Sequence, residues 1–380
     1  MKIAMLIDGR EPVFWWGQIH VKYLSEILVK NHDCKVDVFV RKLLGENGKK
    51  YVQNEVQFEG KRNLFRVGPT TTFFNVVGRV LSLITIVFFL LYKTLIKKYD
   101  VIHAHAYVSG LPAKIVGFLT KTPVIYTVHW TMWLDAKTNG ILSRIERRLV
   151  CGIEYDLEIS VSHQILKYSN VNKNIKIIHN GVDVLAYDEV KQPKKPSGFS
   201  LIFVWRFNWQ KGIEHLIQAF HLLDKKLLDE KNVIVRLVGD GELKDKYCEL
   251  ISQYHLEKYF VFTGKLFGTD LIEEYKKSTV FVLPSLAEGQ PLTLLEAFAS
   301  RLPALVTDVG DNSYFVKNWE SWWIVPPANE TALTNAIEDM LQQDDILELW
   351  KMGYLMIKNS YTWDKIVERT YLEYQKLVKN

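Results

Sequence analysis

The stretch FVLPSLAEGQPLTLLEAFAS, Phe281 to Ser300, changes its period part-way along. Its first five residues are apolar, β-prone and closed by a breaker, which reads as a buried strand of a parallel sheet. From Pro291 the spacing becomes helical. Proline suits the first turn of a helix, where its missing N–H would have no partner in any case. Leu292, Leu295, Glu296 and Ala299 then share one face. Strand, loop and helix in this order form one unit of a doubly wound α/β sheet, which carries ligands beyond the carboxyl ends of its strands. Two carboxylates bracket the loop. Glu288 lies within it, while Glu296 interrupts an apolar stripe, where an ionised group is costly unless something hydrogen-bonds it. The pair asks for a ligand that both acids can reach.

The same alternation extends in both directions. KIAMLID is followed by HVKYLSEILVK, then VDVFV, DVIHAH, a helix near Leu111 to Thr120, PVIYTVH and EISVS. After LAYDEVKQPKKPSG, polar and with two prolines, it restarts with SLIFVW, a helix from Ile213, VIVRLVG, a helix from Leu243, YFVFTG, TVFVLPS and LPALVTD. The expected fold class is α/β: two Rossmann-like doubly wound parallel-sheet domains with an interdomain cleft. The first spans 1–185, a linker 186–198, and the second 199–361.

With 380 residues, 48% of them hydrophobic and 24% charged, the chain has material for two globular cores. A net charge of +5 and a pI near 8.8 suit phosphate ligands or an anionic membrane surface, and no nucleic-acid motif accompanies them. Cys34, Cys151 and Cys248 are odd in number and lack a CxxC spacing, which argues against a disulfide framework or a zinc site and for a reducing, cytoplasmic location. MKIAMLIDG reads as a first strand, being too short an apolar run for a signal peptide. The apolar block VLSLITIVFFLLY, Val80 to Tyr92, is too short to span a bilayer, leaving a buried core helix or a helix lying on a membrane as its two readings.

In LIFVWRFNWQKGIEHLIQAF, Arg206 follows a strand and Lys211 precedes Gly212 and a helix, so both cations can converge on a diphosphate at a helix N-terminus; a solvated loop with two surface cations is the bland alternative. LVGDGELK offers two glycines after a strand but has Lys244 at the third glycine position, which reads as a tight turn rather than a dinucleotide fingerprint. His103 and His105 share a strand face without an evident third metal ligand. His129 stands at a strand end where ligands gather, and also where structural histidines occur. No Asp-x-Asp ends an apolar strand, and Asp344 and Asp345 fall in a helical, solvated segment.

Taken in order, these motifs resemble the retaining glycosyltransferases of the two-Rossmann-domain type (GT-B), family four, over nearly the whole chain. KIAMLID with GQIHVKYL, DVIHAH, TVHW and IIHNGVD resemble the family's first domain; FVWRFNWQKG, LVGDGEL, FTG, LPSLAEGQPLTLLEAFA, LPALVTDVG and YTWDKIVERTYLEY resemble the second and its terminal helix. The resemblance implies that the last helix, 362–380, packs back on the first domain. It implies that Arg206 and Lys211 hold the diphosphate of a nucleotide-sugar donor, Glu296 the ribose hydroxyls and Glu288 the hydroxyls of the transferred sugar. Backbone amides along Gly289, Gln290, Pro291, Leu292 and Thr293 would cradle sugar and phosphate, proline contributing no N–H. Gly17 and His129 would approach from the first domain, with no metal and no further cofactor. Trp205 stands where the family usually has glycine before the arginine, Arg301 where a glycine precedes a buried strand, WWGQIH replaces a glycine pair, and NWESWW replaces a glycine-containing turn.

The expected activity is transfer of a sugar with retention, from a UDP-sugar or, second, GDP-mannose, to a hydroxyl of a glycan or lipid-linked glycan. Rivals are a nucleotide-sugar epimerase on the same architecture and a non-catalytic partner subunit; both acids and both cations argue against the latter. Basic residues and aromatics around Val80 to Tyr92, with Trp15 and Trp16 in a first-domain loop, add an expectation of peripheral membrane contact.

Overall fold

The computed structural model describes residues 1–8, 16–43, 54–71, 76–105, 107–129, 144, 148, 152–167, 171–193, 197–316, 323–343, 346 and 349–379. Trp15, residues 72–74, Cys151, residues 318–322, Asp344, Asp345 and the side chains of Trp16 and Arg79 lie outside the described residues. The chain divides into two compact units, Met1–Asn180 with Trp363–Asn380, and Gly181–Thr362.

The first unit is built on an eight-stranded sheet in the order β3-β4-β2-β1-β5-β6-β7-β8. These are β1 (Lys2–Ile7), β2 (Lys35–Leu43), β3 (Asn54–Gln57), β4 (Arg62–Thr71), β5 (Val101–His105), β6 (Val124–Val128), β7 (Leu157–Ser160) and β8 (Ile175–Ile177). Strands covered on both faces become continuous apolar runs, and the five residues Ile3 to Ile7 of β1 are all buried. β1 lies between β2 and β5, with Ile3 opposite both Val36 and Val101. Among the described residues, the one departure from the expected parallel sheet is the β3–β4 hairpin, whose strands run antiparallel. A tight turn can join only antiparallel neighbours, and here Phe58, Glu59 and Gly60 make it with positive φ.

Helices α1 (Trp16–His32), α2 (Val76–Lys97) and α3 (Tyr107–Thr120) flank this sheet. α2 is longer than the apolar block that marks it, and it is not a wholly buried core helix. Ile86 and Leu90 enter the core beside Phe39, Phe65, Tyr99 and Ile102, while other faces stay exposed. The terminal helix Trp363–Lys379 belongs to this unit. Trp363 stacks on Tyr23 of α1 at 5.0 Å and 7°, and Asn31 donates to Asp364.

The second unit holds six parallel strands in the order β11-β10-β9-β12-β13-β14. They are β9 (Ser200–Val204), β10 (Ile234–Val238), β11 (Phe260–Gly264), β12 (Val280–Leu283), β13 (Ala304–Thr307) and β14 (Trp323–Val325). β12 is the strand of the opening stretch, and its four residues are fully buried. β9 pairs with both β10 and β12, so the order reverses at β9, where ligands of such sheets collect. Two local expectations are corrected. LAYDE is helix rather than linker: Asp183 caps Val184–Glu189 by accepting from the Ala186 N–H, and Val184 and Tyr187 are buried. Pro291 is the extended residue before the helix Leu292–Ala299, with φ −77 and ψ 111, one position short of its first turn.

Candidate functional site

Three loops of the second unit lock together at the carboxyl ends of β9, β12 and β13. After β9 the chain makes a short 3-10 turn, Trp209–Lys211, and passes through Gly212 at φ 62. A Cβ at Gly212 would stand 2.0 Å from the Pro284 carbonyl oxygen, so only glycine lets this loop rest against the one after β12. The Leu286 N–H then donates to the Gln210 carbonyl at 2.7 Å. From the β13 side, Gly310 at φ 57 would place a Cβ 2.2 Å from the Glu288 carbonyl oxygen, and the Asp311 N–H donates to the Gly289 carbonyl at 3.0 Å. Glu288 is thus fixed by backbone from both sides.

Its side chain is equally constrained. Lys211 Nζ donates to Glu288 Oε1 at 2.6 Å and Ser285 Oγ donates to the same oxygen at 2.7 Å. Lys211 and Glu288 are each only 5% exposed. The lysine ammonium also sits 4.2 Å from the centroid of the Trp205 ring, a contact worth about 2 kcal/mol when desolvated. The tryptophan at a position where the family has glycine therefore covers the cation. Arg206 does not join this pair. It is largely exposed and holds Glu242, with Nε and an Nη both 3.1 Å from Oε2.

Glu296 answers the cost of a carboxylate on an apolar stripe differently. Tyr275 Oη donates to its Oε2 at 2.9 Å, yet burial dominates and pushes the carboxyl up to about 7. The Tyr275 hydroxyl rises well above its ordinary value, through burial first and the neighbouring carboxylate second. Gly289, Pro291, Leu292 and Thr293 are buried between the two acids and Gln290 is half-buried. Thr293 Oγ1, at the helix start, is buried and finds no hydrogen-bond partner among the described residues. A buried hydroxyl without a partner at a helix N-terminus is where an anionic or hydroxylated ligand would be met.

In the first unit, α1, β5 and the end of β6 bring four imidazoles together. His105 Nδ1 and His129 Nε2 lie 3.1 Å apart, the His103 and His105 rings 4.0 Å, and the His20 and His129 rings 4.8 Å. His20 Nδ1 meets Asn180 Oδ1 at 2.9 Å. Burial lowers the pKa of His20 to about 4 and takes those of His103, His105 and His129 well below their ordinary value. Gly17 completes the group: a Cβ there would lie 3.3 Å from Ile7 Cδ1 and 3.5 Å from His129 Cδ2. His103 engages Tyr374 Oη at 2.6 Å and Thr127 Oγ1 at 2.7 Å, so both ring nitrogens are committed to hydroxyls rather than to a metal. Sequence reasoning missed His20 and Asn180. The available signal was His20's position one turn after Gly17 on α1, the face that turns toward His129.

Residues 17–184 match the model of Glycosyltransferase Family 4, and residues 186–361 that of Glycosyl transferases group 1. A UDP-Gal:alpha-D-GlcNAc-diphosphoundecaprenol alpha-1,3-galactosyltransferase of Escherichia coli is 30% identical, across 65% of this chain and 68% of its own. This chain is a GT-B glycosyltransferase of family 4/group 1. An uncharacterized glycosyltransferase of Methanocaldococcus jannaschii is 26% identical over 97% of both chains. Among solved structures, sucrose-phosphate synthase from Thermosynechococcus elongatus superposes with a TM-score of 0.82 at 21% identity, over 99% of this chain and 98% of the other, and shares the GT-B fold. Glycosyltransferase activity follows from the family.

Proposed function

We propose that this glycosyltransferase moves a sugar, with retention at the anomeric carbon, from a UDP-sugar to a hydroxyl of a lipid-linked glycan, without a metal ion. The observation that carries the reading is the buried Lys211–Glu288 pair at the strand ends, beside a helix N-terminus. An ammonium has three N–H donors, and one goes to Glu288. The others would meet the donor diphosphate, with Arg206 swinging from Glu242 to share its charge. As the bond from the anomeric carbon to the diphosphate breaks, charge grows on the leaving oxygen. Two cations and the helix dipole stabilise it there, which is the work a divalent ion would otherwise do. Glu288 would hold the sugar hydroxyls, Glu296 the ribose hydroxyls and Thr293 Oγ1 a phosphate oxygen. Gly17 and His129 would contact the sugar from the first unit. The E. coli relative's name, with its UDP-Gal donor and diphosphoundecaprenol acceptor, supports uridine and a lipid-linked glycan for this chain.

The test is transfer from a panel of UDP-sugars and GDP-mannose in EDTA, with the product's anomeric configuration read by NMR. Turnover of a UDP-sugar in chelator, giving the donor's own anomer, is expected. Activity restored only by magnesium or manganese, an inverted product, or turnover of GDP-mannose alone would each overturn the corresponding part.

The elevated carboxyl of Glu296 adds a pH dependence. Its ionised form accepts from two ribose hydroxyls more strongly than the neutral acid does, so affinity for UDP-glucose, whose phosphates do not titrate near neutrality, should fall by up to about tenfold from roughly pH 8 to roughly pH 6. Glu296→Gln should bind more weakly and lose the slope, whereas Glu288→Ala should keep the affinity and lose turnover. A slope persisting in Glu296→Gln would remove the ribose assignment.

A further inference from the structure

α2 is apolar on both its inner and its outer side. The stripe packed into the protein runs through Gly78, Ser82, Ile86, Leu90 and Thr94, while the outward side presents Val80, Ile84, Phe88, Tyr92, Leu95 and Ile96. Phe88 is 68% exposed and Leu95 63%, whereas Ser82 is 1% exposed and Thr94 3%. In water the reverse would be expected, with the polar stripe outward. α3, packed beside it, is apolar on both sides: Val108, Ala113 and Val116 face inward, and Leu111, Ile115, Phe118 and Leu119 face outward, Phe118 at 81%. An open hollow of about 410 Å³ lined by Val67, Thr85, Phe88, Phe89 and Tyr92 carries the apolar surface down to β4.

Two further observations say what covers this face. The first is how its hydroxyls are satisfied. Thr85, exposed on α2, donates to the Leu81 carbonyl at 2.9 Å, and Thr120 at the end of α3 donates to Val116 at 2.8 Å. Both return to their own helix, as Thr94 and Thr370 do inside the protein, so neither hydroxyl requires a polar partner on this face. The second is charge. From Val76 to Lys121 the sequence carries six lysines and arginines and a single acid, Asp100, which accepts from the Lys2 backbone N–H. Lys97 is paired with Asp37 at 2.5 Å, while Lys98 and Lys121 are exposed at the ends of the two helices and Lys114 is half-exposed on α3. Lys93 lies over the Phe65 and Phe89 rings at 4.7 and 5.4 Å.

We propose that α2 and α3 together form a docking face for an anionic lipid bilayer. The occupant is set by the pairing of a broad apolar surface with cations and a single acid, which matches acyl chains beneath negatively charged headgroups. The helix lies in the membrane surface and does not span. By length and composition α2 could cross a membrane, but Ile86 and Leu90 are part of the first unit's core and would have to leave it. Phe88 and Phe118 enter the acyl boundary, and the lysines stay at headgroup level. This inference does not depend on the donor or acceptor proposed above, and its test uses neither.

The experiment is flotation of the full chain with vesicles of phosphatidylcholine alone and of phosphatidylcholine with phosphatidylglycerol. Binding to the anionic vesicles is expected, weakened but not abolished by high salt. F88E with F118E should lower the partition coefficient at least about a hundredfold. K98Q with K121Q should lower it for anionic vesicles alone, by about fivefold for each lysine. Both positions being exposed, circular dichroism of the variants should match the parent. Failure of the parent to float, binding that survives F88E with F118E, or a stable dimer in solution that F88E dissociates would overturn the proposal, the last by making the face an interface between two copies.

Discussion

Lys211→Ala should remove nearly all sugar transfer, about a thousandfold or more, and should also lower the stability of the second unit by about 3–5 kcal/mol. The two losses have different origins. The first follows from removing the charge that meets the departing diphosphate. The second follows from the site's own construction, since truncating the lysine leaves Glu288 buried with Ser285 Oγ as its remaining donor among the hydrogen bonds described, and leaves the Trp205 face without its cation. Lys211→Met combined with Glu288→Gln separates them. A neutral amide can accept from Ser285 and a thioether side chain fills the lysine's path, so stability should return toward the parent's while transfer stays lost. Parental turnover in that double variant would end the leaving-group role of Lys211. Arg206→Ala is the contrast. Exposed and held by one surface carboxylate, Arg206 should be replaceable within about 0.5 kcal/mol of stability. Its effect should appear in transfer, by about a hundredfold. Urea midpoints and donor turnover measured on the same preparations give both comparisons.

What the sequence displays of this site, and what it withholds, follows from the range of the interactions. Parallel strands buried on both faces are continuous apolar runs, so β1, β9 and β12 can be read directly from KIAMLI, SLIFV and VFVL. The β3 strand, NEVQ, is polar, partly exposed at a sheet edge, and carries no such mark. Glu296 is visible because a carboxylate among leucines is anomalous within a single turn of chain, and Glu288 because it stands in the loop between a strand and that helix. Their partners are not visible, because Lys211 lies 77 residues from Glu288 and Tyr275 lies 21 from Glu296. The glycine positions Gly212 and Gly310 serve close approaches between loops after different strands, which local propensity does not encode. Trp205 is visible as an oddity against the family, while its stacking on Lys211 belongs to the folded state. α2 misleads for another reason. A helix apolar on nearly every side gives the same signal whether its neighbours are protein or lipid, and the outward exposure of Phe88 and Leu95, with Ser82 and Thr94 turned inward, appears only in the folded structure.

The imidazole cluster of the first unit sets the last expectation, an acid-labile fold. His20, His103 and His105 are buried and His129 beside them is half-buried, and all four are held neutral mainly by desolvation, His20 down to about 4. In the unfolded chain each titrates near 6.5, so between roughly pH 6.5 and pH 4 the unfolded state binds protons that the folded state refuses. Stability is therefore full above about pH 6.5 and falls as the pH drops through that window. His20 alone accounts for about 3 kcal/mol by pH 4. The four do not add, because each proton bound raises the cost of the next. Glu296 works in the opposite direction. Its folded carboxyl sits at about 7 against an ordinary 4.5, so its contribution is fully present below pH 4.5 and is lost as the pH rises through 7. One such carboxyl in the second unit cannot offset four histidines in the first, and the net effect on the first unit is destabilisation by acid. Urea unfolding at about pH 7.5 and about pH 5 measures it, with hydrogen exchange of β1, β5 and β6 assigning the loss to that unit. His20→Gln, which keeps a donor for Asn180 Oδ1 and removes one ionisation, should lose about 1–2 kcal/mol less than the parent between those two pH values. Equal losses in parent and variant would mean that His20 titrates in the folded protein as it does in water, and that the cluster is open to solvent.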